Sequence, residues 1–248
     1  MTHATLRTAT TGAPTGNRLL DVLPVTERSL LDTQLEPVDL PVGKVLYEPE
    51  EPIRHVYFLS TGIVSMVSTM DEGTVEVGTV GNEGMAGLPA LFYAERMPTK
   101  GFMQVEGHGT RLTPERLRGA MRELPLLERV LYRYAQALFD MVAQSAACNR
   151  LHSLEERCAR WLLMTGDRVQ EDTMPLKQQF LAEMLGVHRP AVTLAAGALQ
   201  RAGFIRYTRG KVTILDRAGL ERASCGCYGI VRRSFERVRE GSLHDADR

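Results

Sequence analysis

A chain of 248 residues with 44% apolar and 24% charged side chains can bury one large core or two modest ones. Its four cysteines are too few and too unevenly placed for a disulfide framework, and no run nears the roughly 18–20 apolar residues of a membrane helix. Thirty bases balance thirty acids, and a net charge of zero taken as a total argues against a nucleic-acid partner.

Thr2 to Asn17 is rich in Thr, Gly and Ala and poor in large apolar side chains, so residues 1–17 are expected to form a disordered tail. The stretch lacks the basic start and apolar core of a secretory leader, which points to a cytoplasmic protein.

From Val38 to Leu112 short β-branched runs alternate with turns. Val56-Tyr57-Phe58-Leu59 ends at Ser60-Thr61-Gly62, Ile63 to Ser68 follows, and Asp71-Glu72-Gly73 turns the chain into Thr74–Val80. The spacing predicts a small antiparallel roll or barrel over residues 18–113. Residues 36–96 hold ten acids against three bases, so this part repels a polyanion.

Thr113-Pro114-Glu115 then opens a helical stretch, an N-cap-like residue followed by Pro in the first turn. Leu127, Leu131, Tyr134, Leu138, Met141, Ser145 and Cys148 follow with 4-3-4-3-4-3 spacing. That heptad seam predicts a dimerisation helix over residues 114–150, packed on a second copy through Leu127, Leu131, Tyr134, Leu138 and Met141. Ser153-Leu154-Glu155-Glu156 has capping-box spacing for another helix, which Gly166 is expected to end.

Residues 151–240 read as a winged helix-turn-helix. Gln178–Leu185 is a short amphipathic helix, Gly186 permits a tight left-handed turn, and Pro190 fits the first turn of a second helix. Ile205–Tyr207 and Lys211–Ile214 then form a two-stranded wing about Arg209-Gly210. Residues 189–233 hold nine bases against two acids, so charge is partitioned between two regions with two tasks.

A helix of this kind enters the major groove with its first residues at base edges. Arg189 suits a bidentate contact to guanine, and His188 and Thr193 can donate to bases or phosphate. Gln178 and Gln179 can anchor a phosphate at the first helix's N-terminus, and Arg206, Arg209 and Lys211 supply charge for the backbone.

Four motifs stand in one order: Leu40-Pro-Val-Gly43-Lys-Val-Leu46, Val56-Tyr-Phe-Leu-Ser-Thr-Gly62, Gly81-Asn-Glu-Gly-Met-Ala-Gly-Leu88, and Gln179-Phe-Leu-Ala-Glu-Met-Leu-Gly-Val187 leading to Arg189. Over roughly residues 20–240 the chain resembles the Crp/Fnr family of bacterial transcription regulators. The resemblance implies an α+β architecture, with a cyclic-nucleotide-binding-like β-roll, a long dimerisation helix and a C-terminal winged helix-turn-helix. It also implies a homodimer on a palindromic operator in double-stranded DNA, contact with RNA polymerase, and no membrane association.

The family's nucleotide-binding members hold the ribose with Gly-Glu and the cyclic phosphate with Arg-Ser or Arg-Thr. Here the first position is Gly84-Met85, followed by Ala86, and the second falls near Thr99-Lys100, with Arg96 close by. Control by cyclic AMP is therefore not expected, and the same pocket is assigned an unidentified small-molecule effector or none. Family members often read the groove with Arg, Glu and a second Arg; Arg189 matches the first, while Pro190 and Leu194 hold the other places.

No cofactor or metal is expected. The N-terminus has no cysteine for an iron–sulfur centre, Cys225-Gly-Cys227 has no partner at ligand spacing, and His55 and His108 read as ordinary surface or core histidines rather than haem ligands. No catalytic constellation is present. The competing reading is a ligand-sensing module whose paired helices bind protein instead of DNA.

Overall fold

The computed structural model describes residues 14–169 and 172–246, with side chains to residue 240. The tail expected at residues 1–13 lies outside the described residues. Residues 14–17, assigned to the same tail, are ordered instead. Asn17 is fully buried, caps helix α1 (Arg18–Asp21), and donates its amide to the carbonyls of Leu59 and Gly84 at 2.9 and 2.8 Å. A buried amide with all its bonds made pins the chain here.

Helix α2 (Val25–Asp32) leads into strands β1 (Glu36–Leu40), β2 (Val45–Tyr47), β3 (Val56–Leu59), β4 (Ile63–Met70), β5 (Gly73–Val80) and β6 (Met85–Ala86). A 3-10 turn at Leu88–Phe92 precedes β7 (Lys100–Val105) and β8 (Gly107–Leu112). Two antiparallel four-stranded sheets, ordered β1-β8-β3-β6 and β2-β7-β4-β5, form the roll. The unbroken apolar run of β3 is buried on both faces, because the sheet covers one side and flanking segments the other. Gly109 lets β8 lie close to β3, since a Cβ there would sit 2.2 Å from the Phe58 carbonyl oxygen.

The helical stretch from Pro114 is two helices, α3 (Pro114–Glu123) and α4 (Pro125–Leu151), rather than one. Pro125 disfavours helical geometry at the residue before it, and Leu124 leaves the helix at φ −122°, ψ 88°. Helix α5 (Leu154–Val169) starts at the expected capping box: Ser153 N donates to Glu156 Oε2 at 2.8 Å, and Glu156 N donates to Ser153 Oγ at 3.3 Å. It does not end at Gly166, which is buried inside the helix where Ile214 needs the space. There follow β9 (Thr173–Pro175), α6 (Gln178–Leu185), α7 (Arg189–Arg201), β10 (Ile205–Thr208), β11 (Lys211–Ile214), α8 (Arg217–Ala223) and α9 (Cys227–Ala246).

The predicted dimer seam is corrected by these contacts. Leu127, Leu131, Tyr134, Leu138 and Met141 are all less than 5% exposed within a single chain and belong to the core shared with the roll. They cannot meet a second copy. Helix α9 also lies along α4, with Ser234 bonded to Asp140 at 3.0 Å and Phe235 against Tyr134. The open face of α4 is displaced by one residue: Tyr132, Phe139 and Val142 are 46, 66 and 38% exposed, Ala146 is exposed beyond them, and Ala135 between them is buried.

Candidate DNA-reading site

The reading head is built on a small core of its own. Leu181, Met184 and Leu185 of α6 pack with Val192, Ala195, Ala196 and Leu199 of α7 and with Ile205 and Val212 of the wing. Gly186 ends α6 at φ 64°, and Val187 N returns to the Ala182 carbonyl at 3.0 Å. A side chain at 186 would also press on Val75 of β5, so this turn needs glycine for its backbone and for its contact with the roll.

Helix α7 opens at His188 and Arg189, both exposed, with no side-chain cap over its first N–H groups. Pro190 has no N–H and Ala191 N donates to the His188 carbonyl at 3.0 Å, so what this end presents outward is chiefly the His188 and Arg189 side chains. Thr193 and Leu194 lie on the same outer face, Leu194 being 72% exposed. An isolated leucine that open on a helix near Arg189 fits apolar contact with a thymine methyl.

The two polar residues expected at the start of α6 have different surroundings. Thr193 Oγ1 donates to Gln178 Oε1 at 2.9 Å, so this pair braces α6 against α7 and leaves the Gln178 amide as a donor. Gln179 donates to Glu183 one turn on at 3.0 Å. Lys177, exposed at the α6 N-cap and close to Gly210, joins the basic surface and was missed; its place directly before the apolar helix was the available signal.

The wing has three strands, not two, because β9 pairs with β11 from Lys211–Pro175 to Thr213–Thr173. At its tip Arg209 and Gly210 both have positive φ, 49° and 74°, the signature of a type I′ hairpin turn. Arg206, Arg209 and Lys211 are exposed. Among the described residues none of Arg189, Arg206, Arg209 and Lys211 makes an ion pair, whereas Arg217 is held by Asp167 and Glu221, and Arg232 by Glu236. The bases at the reading end are thus exposed without an acidic partner among the described residues.

The effector residues are not brought together as a pocket. Met85 and Ala86 are core residues, and a Cβ on Gly84 would lie 2.5 Å from the Tyr134 ring. Tyr134 fills that space and donates its hydroxyl to the Met85 carbonyl at 2.9 Å; burial raises its pKa and keeps the proton in place. Arg96, in contrast, is exposed and donates to the Glu50 carbonyl, and Lys100, next to Thr99, pairs with Glu48 at 3.0 Å. One half is filled core and the other is solvated surface.

The roll and the reading head are joined by polar contacts. Glu83 of the loop before β6 meets Arg168 of α5 at 2.7 Å, with side chains 10 and 7% exposed. Glu76 of β5 accepts from Ser65 at 2.7 Å and from the Trp161 indole at 2.9 Å. Within the head Arg157 donates to the Leu185 carbonyl, and Phe180 of α6 adds an apolar contact to the roll by packing edge-on against Phe102 of β7 as well as against Trp161. A cleft of ≈ 320 Å³ opens beside the Glu83–Arg168 pair, lined among others by Arg18, Tyr228, Arg232 and Phe235.

The expectation that Cys225 and Cys227 lack partners is overturned. The fold brings Cys148 and His152, from the end of α4, against them. Among the described residues no helix is long and apolar enough to cross a membrane.

Residues 156–223 match the family model of a Crp-like helix-turn-helix domain and residues 37–123 that of a cyclic nucleotide-binding domain, together well over half the chain. A CRP-like cAMP-activated global transcriptional regulator of Mycobacterium tuberculosis is 24% identical over 200 residues, 77% of this chain and 89% of that protein. Among solved structures, FixK2 from Bradyrhizobium japonicum aligns with a TM-score of 0.66 at 15% identity, covering 77% of this chain and 98% of its own. A CRP-family transcriptional regulator from Thermus thermophilus aligns at 0.63 with 22% identity, covering 75 and 96%. These structures share the fold.

Proposed function

The chain belongs to the Crp/Fnr family of transcription regulators, and from that premise we propose that it acts in the cytoplasm as a homodimer on a palindromic operator, under the control of its β-roll. The observation that carries this reading is the uncapped, exposed start of α7 beside a wing whose bases, among the described residues, have no acidic partner. Arg189 reads a base, Leu194 touches a thymine methyl, and Arg206, Arg209, Lys211 and Lys177 hold the backbone. The dimer closes through the exposed Tyr132, Phe139, Val142 and Ala146 of α4, extended by Leu88 and Phe92. RNA polymerase is the expected further partner of the bound dimer.

The relative from M. tuberculosis is named for activation by cAMP. Three features support a different control here: Gly84-Met85 offers no carboxylate to a ribose, Tyr134 occupies the space beside it, and Arg96 and Lys100 are engaged elsewhere. We place an unidentified small-molecule effector in the cleft next to Glu83 and Arg168, where it would bias the seating of the reading head on the roll.

Duplex binding measured against salt tests the reading. Affinity is expected to fall steeply as salt rises, by a slope of about one per phosphate contact. A protein that binds no duplex at low salt, while its exposed helices capture a protein partner, would instead be an interaction module. Calorimetry with cyclic AMP is expected to show no binding, and mass spectrometry of small molecules retained on purification would identify the effector.

A further inference from the structure

Cys148, His152, Cys225 and Cys227 come from two segments 73 or more residues apart in sequence, yet their ligand atoms all lie within 4.8 Å of one another. Cys148 and His152 share one face of α4 at i, i+4 spacing, and His152, its C-cap, has turned to extended backbone at φ −109°, ψ 151°. Cys225 and Cys227 flank the start of α9. The Cys148 and Cys225 sulfurs are 3.5 Å apart, and Cys227 Sγ is 3.5 Å from His152 Nδ1.

We propose that these four residues bind one zinc ion in a closed tetrahedral Cys3His site. Zinc bonds of about 2.3 Å to sulfur and about 2.0–2.1 Å to nitrogen place the corners of such a tetrahedron roughly 3.5–3.8 Å apart. The Cys148–Cys225 and Cys227–His152 pairs have that edge length, and no pair exceeds 4.8 Å. An iron–sulfur cluster needs its cysteine sulfurs further apart, around a core of several atoms. The three cysteines are at most 4% exposed and form a buried cluster separate from the two larger apolar cores. Gln144 reaches Cys227 Sγ with its side-chain amide at 3.1 Å, the kind of outer contact that orients a thiolate ligand. Arg160, whose guanidinium is anchored on Ser145 Oγ at 3.0 Å, brings positive charge toward a site whose three thiolates leave it one charge negative.

The four ligands complete the coordination and leave no open position, so the zinc is structural. Binding replaces three thiol protons with the metal, the imidazole stays neutral, and nothing is oxidised or reduced. The site lies where α4 passes to α5 and where α9 leaves the reading head to return along α4. Zinc there ties the reading head to the helix that carries the dimer face.

The test uses the full-length, reduced protein stripped with chelator and shown by circular dichroism to remain folded. Titrated with Co2+, it is expected to develop the intense visible bands of tetrahedral cobalt and a thiolate-to-cobalt charge-transfer band, saturating at one ion per chain and abolished by one equivalent of Zn2+. C148S and C227S should lose the charge-transfer intensity in steps, and Q144A should bind about 10-fold more weakly. Folded, reduced wild-type protein that takes up no cobalt, or takes it up without thiolate bands, overturns the proposal. These readouts require no DNA, so their failure is distinct from failure of the regulator reading.

Discussion

Glu83 and Arg168 form an ion pair of 2.7 Å across the boundary between the β-roll and the first helix of the reading head, with both side chains nine-tenths or more buried. Glu83 sits in the loop before β6, so the ion pair couples that loop directly to α5. Removing one member leaves a buried charge unpaired, which costs about 3–5 kcal/mol. R168M and E83Q are each expected to lower stability by about that much, and the double variant by clearly less than their sum. Urea unfolding of the four proteins measures the coupling, and simple additivity would reject it.

Glu76 adds a pH dependence to the same boundary. Burial raises its carboxyl from its ordinary 4.5 to about 7, against the opposing pull of its bonds to Ser65 and Trp161 and of Arg168 and Arg160. The folded state therefore holds the proton more tightly than the unfolded chain. Its stabilising effect is fully present below about pH 4.5 and is lost as pH rises through about 7. The residue keeps some exposure, and screening limits the change to about 2 kcal/mol. Urea midpoints taken from pH 5 to pH 8 should show this decline, and E76Q should flatten it.

Two kinds of contact are expected on the reading face. R189A is expected to cost about 1–3 kcal/mol at one base position and to relax specificity there. R209A and K211A should weaken binding evenly across sequences, each reducing the salt slope by about one. Fluorescence anisotropy on a set of single-base operator variants separates the two classes. An even loss for R189A would make it a phosphate contact.

The two stripes of α4 behave oppositely. F139D places a charge on the open face, so the protein should stay folded but sediment as a monomer with weak operator binding. L131D puts the same charge where exposure is 0% and should prevent folding. A folded monomeric L131D together with a dimeric F139D would restore the inner seam as the interface.

Local chemistry made much of this molecule legible. The turn at Gly186, Pro190 in the first turn of α7, the β-branched runs of the roll and the capping box at Ser153 each act within a few residues, so their patterns survive in one dimension. The expected DNA contacts at His188, Arg189, Arg206, Arg209 and Lys211 are all exposed for the same reason. The heptad count on α4 picked out side chains that the single chain buries in its own core. Leu131-Leu138 and Tyr132-Phe139 have the same spacing, and the packing of the roll and α9 selects which pair is buried. Cys148 and Cys225 are 77 residues apart, and no spacing rule connects them. Their meeting depends on α9 folding back along α4, a long-range contact with no periodic trace in the chain.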